Sequence, residues 1–434
     1  MNPRLGGFVL LLLMWHGAAV MAGDYDFIIP EAEKKPYELG GRLEGRYIYH
    51  RLNEDAARYR LNYHQDDPGG ETHAYQAQVE LTGSYQWGPL KADLLTHHAY
   101  ADTYEKNEWH NDLYEGYFSF TPTPHLVLDA GKKRILWGKG YAWNPAGFLN
   151  PPKDPDDPAL NQEGRTLLAL DLIKSLSTGG LANLGLTALL LPVIDNWANP
   201  EMGGENALNA AAKLYLLWYD TDIDFIYFEG EDQPRSLGLD AAKNLAENIE
   251  VHAELAYRQD VPRVTLKEDG SVKKTLADPV SWLAGIRYLN TIDTTFIAEY
   301  YHNGSGYDRD ALRDFFAYQK TAVAQWQATA DPAAIQRAGR MTQPYYQQRN
   351  FAKDYFYLKI SQKEPFDILY FTPWMTTVVN LQDFSFNLQP GMTWTPLTNL
   401  ELNFRAAIPV GPANTEFGEK QDIVRPEWWV RYYF

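Results

Sequence analysis

The residues Pro426-Glu427-Trp428-Trp429-Val430-Arg431-Tyr432-Tyr433-Phe434 decide how the rest of the chain is read. Counted back in twos, Phe434, Tyr432, Val430 and Trp428 form one apolar, aromatic row. The interleaved Tyr433, Arg431, Trp429 and Glu427 carry the charge. A repeat of two is the signature of a strand with a different environment on each face.

The same alternation recurs along the chain. In Tyr37–His50 the residues Tyr37, Leu39, Leu43, Tyr47 and Tyr49 oppose Glu38, Arg42, Glu44, Arg46 and His50. In Tyr75–Trp87 the set Ala77, Val79, Leu81 and Tyr85 opposes Gln76, Gln78, Glu80, Thr82 and Ser84. Ile249–Arg258 and Leu400–Ile408 behave alike. Further strands are expected at Leu90–Tyr100, Asp112–Phe120, His125–Arg134, Arg165–Ile173, Leu181–Leu191, Ala210–Tyr219, Asp222–Glu229, Arg235–Lys243, Val280–Leu289, Thr294–His302, Tyr355–Ser361, Ile368–Val379 and Phe384–Thr395. With the closing stretch the count is about eighteen, an even number as bacterial transmembrane barrels require. Connections after even-numbered strands are mostly tight. Those after odd-numbered strands are mostly longer and polar.

Met1–Ala22 reads as a secretory signal peptide: Arg4 precedes an apolar run from Phe8 to Trp15, and Val20-Met21-Ala22 offers a cleavage site. Residues 23–36 are then a periplasmic segment. No other stretch approaches the roughly 20 apolar residues of a membrane-spanning helix, and the mean hydropathy is −0.43. Yet the chain holds 29 Tyr, 13 Trp and 32 Gly. Strands with one greasy face and aromatic girdles account for that combination. There is no Cys, hence no disulfide, thiolate metal site or haem attachment motif. A net charge of −17 argues against nucleic acid as a partner. It suits acidic surface loops bridged by divalent ions to lipopolysaccharide.

The closing stretch resembles the last strand of Gram-negative outer-membrane barrels, in which a terminal aromatic with apolar partners at alternate positions is the assembly signal. Phe434, Tyr432, Val430 and Trp428 occupy those positions. The resemblance implies an all-β fold: a closed antiparallel up-and-down barrel over residues 37–434, with both termini periplasmic. It also implies outer-membrane lipid and the barrel-assembly machinery as partners. In architecture the chain resembles eighteen-strand substrate-selective porins and alginate-export-type barrels.

So many strands enclose more space than side chains fill, so a water-holding lumen is expected. Alternation turns Arg42, Arg46, Glu254 and Arg258 toward it, among other mixed charges. Lys132, Lys133 and Arg134 stand in a row, and a cation on the lipid face at mid-membrane costs roughly 2–4 kcal/mol. A bulge inward or a position above the membrane is therefore expected there. The loop that follows, residues 137–164, is rich in Trp, Gly and Pro and is stiff enough to fold inward as a constriction, as the third external loop of porins does. Its Asp154, Asp156 and Asp157 would balance the basic cluster. These ten charged residues are the candidate selectivity groups. Residues 303–350 break the strand pattern: Leu312, Phe315, Phe316, Val323 and Trp326 recur at helical spacing, and Asp331-Pro332-Ala333-Ala334 starts a second helix. An external helical cap or lid is expected.

The expected function is passive diffusion of small hydrophilic solutes or ions, with no catalytic residue, metal or cofactor assigned. Two other readings remain open at this stage. One is a sheath around a partner such as a multihaem cytochrome. The other is an outer-membrane hydrolase, which would need a Ser or Asp beside a His on the barrel rim; His97, His98 and His110 also lie near Asp102, Glu105 and Glu108, a set that could make a metal site.

Overall fold

The computed structural model describes residues 35–434 except 152, 154, 156–162, 196, 347 and 349. The signal-peptide reading, most of the segment 23–36, and Asp154, Asp156 and Asp157 lie outside the described residues.

The strands, in chain order, are β1 (Tyr37–Leu52), β2 (Glu71–Trp87), β3 (Leu90–Asp102), β4 (Asn107–Thr123), β5 (Leu126–Lys133), β6 (Arg165–Thr178), β7 (Leu181–Pro192), β8 (Leu208–Trp218), β9 (Thr221–Gly230), β10 (Ser236–Ala246), β11 (Ile249–Arg258), β12 (Val261–Leu266), β13 (Val272–Ala277), β14 (Val280–Leu289), β15 (Thr294–His302), β16 (Asp354–Gln362), β17 (Phe371–Asn380), β18 (Phe386–Leu397), β19 (Leu400–Val410) and β20 (Asp422–Tyr433). Eighteen of them form one antiparallel sheet; β12 and β13 form a separate ribbon. Each barrel strand pairs with its sequence neighbours, and β20 pairs back on β1 through Arg42↔Tyr433, Gly45↔Val430 and Ile48↔Glu427. The sheet therefore closes and leaves no edge, the arrangement that lets strands cross a bilayer.

All eighteen strands read from the sequence are present. Outward rows are exposed, with Leu39 at 78%, and inward charges such as Glu44 at 4% are buried. One rim carries short turns, among them 88–89, 179–180, 219–220 and 398–399. The other carries the long connections 53–70, 134–164, 259–279, 303–353 and 411–421. The connection expected between Tyr100 and Asp112 narrows to 103–106. Cross-strand Tyr100 and Trp109, 4.7 Å apart, carry the ladder upward on the lipid face.

Three helices sit at the long-loop rim: α1 (Ala57–Tyr63), α2 (Arg309–Thr329) and α3 (Ala333–Tyr346). Asp308 caps α2 by accepting from the Ala311 N–H at 3.0 Å. The helical stripe read from the sequence is the packing face: Leu312, Phe315, Phe316 and Val323 are buried, with Trp326 against them. Their core also takes in Leu61 of α1, Leu266 of β12, Phe417 of loop 411–421 and the inner-wall residues Leu283, Tyr355 and Tyr357. Ala142 and Trp143 of 134–164 join them, so five connections share one apolar cap over this end of the barrel.

Candidate functional site

The loop 134–164 leaves β5, turns into the lumen and returns to β6. It does so because part of the inner wall is apolar. Leu167, Ala169, Leu189, Leu191, Ala211, Ile226 and Phe228 all point inward from β6 to β9 and are buried under Ile135, Trp137, Ala146 and Leu149 of the loop. Fully burying a side chain of this size stabilises by about 1.5–3 kcal/mol, so the loop is firmly seated. The lumen is therefore not uniformly polar.

Inward carboxylates catch the loop's tip. Oε1 of Glu254 accepts the N–H of Lys139 and of Gly140, each at 2.7 Å, and Asn144 Nδ2 at 2.8 Å; Oε2 accepts the Ala146 N–H at 3.0 Å. Glu299 accepts the Tyr141 and Ala142 N–H groups at 2.5 and 2.8 Å and also meets His252 Nε2 at 2.8 Å. The two glycines make this possible. Gly138 has φ +95°, and a Cβ there would lie 2.7 Å from Glu254 Oε1; one on Gly140 would meet the Trp143 carbonyl at 2.1 Å. Successive N–H groups aimed at one anion form a backbone nest.

Lysines complete the hold. Lys139 Nζ lies 3.1 Å from Asp224 and 3.8 Å from Asp240, with Lys213 3.7 Å from Asp224. Burial opposes the Lys139 charge, but Asp224 and Asp240 outweigh it and raise its pKa. Lys153 Nζ donates to the Gly140 carbonyl at 2.7 Å. Burial pulls its pKa down, against the opposing pull of Glu254 and Glu299. Trp143 stacks on Tyr301 at 5.1 Å, with Tyr355 and Tyr357 about its other sides.

Across the ring of strands, β1, β19 and β20 carry a file of guanidiniums that descends from the cap: Arg425, then Arg405 and Arg46, then Arg431, then Arg42. Arg405 lies 3.1 Å and Arg425 2.9 Å from Glu427. Arg46 is 3.0 Å from Glu44, Arg431 bridges Glu44 at 2.5 Å and Glu401 at 3.0 Å, and Arg42 is 2.8 Å from Glu80. Trp429 sits in their midst, with Arg46 at 4.4 Å and Arg405 at 4.7 Å from its ring. A cavity of about 300 Å³ lies at the cap end, lined by Arg58, Phe417, Lys420 and Arg425. Another of about 560 Å³ lies toward the short turns, lined by Glu80, Lys91, Asp93, Glu115 and Arg134.

The sequence-derived residues thus fall into separate places. Arg42 and Arg46 join the arginine file. Glu254 is the anchor of the loop. Arg258 stands at the top of β11, where its N–H donates to the Pro279 carbonyl at 3.1 Å. Lys133 pairs with inward Asp129 and lies 5.1 Å from the Tyr117 ring, while Lys132, on the opposite face of β5, pairs with Glu163. The Arg134 N–H donates to Glu115 at 2.9 Å. The three histidines do not converge. His97 meets Glu80 at 3.2 Å, His98 meets Asn111 at 2.9 Å, and His110 lies 3.6 Å from Glu108. Lys139, Asp224, Asp240, Glu299 and Arg425 were not singled out from the sequence. Gly138-Lys139-Gly140 was the available signal, since paired glycines around a lysine suit a loop whose backbone approaches an anion.

Comparison with family models and with curated proteins by sequence finds no match. Solved structures do match. Pseudomonas aeruginosa OccK5 (OpdH) is 13% identical with a TM-score of 0.52, over 92% of this chain and 98% of that one. Pseudomonas aeruginosa OccK11 (OpdR) is 13% identical with a TM-score of 0.50, over 91% and 96%. Pseudomonas aeruginosa OccK2 (OpdF), solved in complex with glucuronate, is 9% identical with a TM-score of 0.52, over 92% and 96%. At such identities the likeness is one of fold, a closed antiparallel barrel of eighteen strands.

Proposed function

We propose that this chain is an outer-membrane channel for passive diffusion of small hydrophilic solutes, and that it favours solutes bearing a carboxylate. The arginine file carries this reading. At its upper end Arg425 lines one cavity, and at its lower end Glu80, the partner of Arg42, lines the other. Guanidinium forks match carboxylate geometry, and charges lining a pore set which ions pass. The glucuronate held by the OccK2 structure is a sugar acid, which is the kind of solute such a wall suits. Short turns at the rim where β1 begins and β20 ends support a periplasmic position for both termini. Outer-membrane lipid, lipopolysaccharide and the assembly machinery acting on Phe434 follow from the same reading. The occupied lumen speaks against a threaded protein partner.

Planar-bilayer recording tests the proposal. The wild type is expected to give discrete conductance steps with a preference for anions. Arg46→Glu with Arg405→Glu should reverse the preference, and Lys133→Glu should weaken it. Folded protein that inserts but never conducts, or an ion preference indifferent to these changes, would end the reading.

A further inference from the structure

The ribbon β12–β13 continues the β11–β14 ladder above the barrel wall. The last wall pair is Tyr257↔Val280; the Arg258 N–H then donates to the Pro279 carbonyl at 3.1 Å, and pairing resumes at Val261↔Ala277. The ribbon touches the cap at two places. Leu266 is fully buried and its N–H donates to the Tyr307 hydroxyl at 3.2 Å, while Arg263 donates to the Gly306 carbonyl at 3.1 Å.

The rest of the ribbon is open. β13 is exposed along nearly its whole length. Val264 is 36%, Val272 42% and Leu276 69% exposed. Lys273 and Lys274 are exposed, and no carboxylate among the described residues lies within ion-pair distance of either. Within 259–279 Arg263, Lys267, Lys273 and Lys274 are balanced by Asp260, Glu268, Asp269 and Asp278; Arg263 and Lys267 pair with Asp308 and Asp314, which leaves Lys273 and Lys274 as the ribbon's cations outside ion pairs among the described residues. Directly below, Val280 and Trp282 face lipid, and Trp282 packs on Tyr300 at 4.8 Å in the upper aromatic belt. Val272, Lys274 and Leu276 share one face of β13 with Val264, so the apolar surface runs on upward past the belt to the Lys274 ammonium, with Lys273 on the ribbon's other face.

We propose that this ribbon binds the lipid A end of lipopolysaccharide. Lys273 and Lys274 meet its phosphates, and Val264, Val272 and Leu276 lie against the boundary between sugar and acyl chain. The contact is made by the protein's own cations rather than by divalent ions bridging acidic loops. It rests on the outer-membrane reading and is independent of which solute the lumen carries.

The test uses the full-length mature chain refolded in detergent and titrated with three lipids: bis-phosphorylated lipid A, its monophosphoryl form, and phosphatidylglycerol. Binding is read by native mass spectrometry and by the rise in Tm. Affinity is expected to fall in that order and to be unaffected by EDTA. Lys273→Glu with Lys274→Glu should weaken lipid A binding roughly thirtyfold, two lysine–phosphate contacts at a charged membrane surface being involved. Lys273→Arg with Lys274→Arg should restore it, and Leu276→Ser should weaken all three lipids alike. Equal binding of lipid A and phosphatidylglycerol, loss of binding in EDTA, or an unaffected double glutamate variant would overturn the proposal. Bilayer conductance of that variant should match wild type. A wild type that binds lipid A yet never conducts would refute the channel and leave this site standing.

Discussion

Glu254→Gln probes what holds the inward loop. The carboxylate is 2% exposed and receives four donors, three on Oε1 and one on Oε2. A hydrogen bond to a charged group contributes about 1.5–3 kcal/mol, against about 0.5–1.5 for a neutral pair. The amide keeps the shape but offers one acceptor. With its oxygen toward Lys139, Gly140 and Asn144, three bonds fall from charged to neutral at about 1 kcal/mol each. The Ala146 N–H then faces another donor, at a further 1–3 kcal/mol or so. The total is roughly 4–6 kcal/mol, and the opposite amide flip is worse because it strands three donors. Glu299, Lys139, Trp143 and the apolar seat remain, so residues 138–146 should loosen locally while the barrel stays folded. Amide hydrogen exchange is the assay. Peptides covering 138–146 should exchange on the order of a thousandfold faster, since each 1.4 kcal/mol is about tenfold. Single-channel records should become noisier. Exchange within about threefold of wild type would correspond to less than about 1 kcal/mol. It would show that the nest contributes little.

Two further outcomes are expected. Burial pushes Glu416 of loop 411–421 up to about 7, although it accepts from Tyr355 and Asn380 at 2.7 and 2.8 Å. A raised folded-state pKa means the stabilisation is complete below about pH 4.5 and disappears as pH rises through about 7, a change of about 3 kcal/mol. Exchange in 411–421, corrected for the intrinsic rate, should therefore be faster at pH 8 than at pH 5 and should lose that dependence in Glu416→Gln; a flat wild-type profile refutes it. At the seam, a Cβ on Gly41 would lie 2.5 Å from the Phe434 ring and 2.6 Å from the Glu80 carbonyl, whereas one on Gly45 meets nothing within 4 Å. Gly41→Val should therefore lower the folded, heat-modifiable fraction on gels while Gly45→Val does not, and equal yields of the two would dismiss Phe434 as a seated residue.

The strands were legible because each must show lipid one row of side chains, and that demand is local. The exceptions are instructive. Arg165–Ile173 and Leu181–Leu191 read as nearly continuous apolar runs, and the structure gives the reason: lipid covers one face and the inward loop the other, as on a strand buried on both sides. In α1, Tyr59, Leu61 and Tyr63 alternate like a strand, yet the helix is only seven residues long. A distant group holds its start, since Glu419 accepts the Ala57 N–H at 2.8 Å. The ribbon β12–β13 did carry a turn signal in Asp269-Gly270-Ser271, but Pro262 and its brevity obscured it.

The same distinction separates what parity can and cannot say about the lumen. Parity turns Arg42, Arg46 and Glu254 inward, and inward they are. It cannot say that Glu254 spends its charge on backbone N–H groups more than 100 residues away in sequence, while the arginines remain in a file against Glu44, Glu80 and Glu427. That partition makes the channel reading specific. Asp224, Asp240, Glu254 and Glu299 hold the loop, with Lys139 on the aspartates and N–H groups on the glutamates, while Asp222 and Glu250 take Tyr215 and Arg287. On the proposed reading, a solute passing on the other side meets guanidiniums whose partners lie on their own wall. An acidic chain can in this way place five guanidiniums along one wall of its lumen, which a count of its charges alone would not predict.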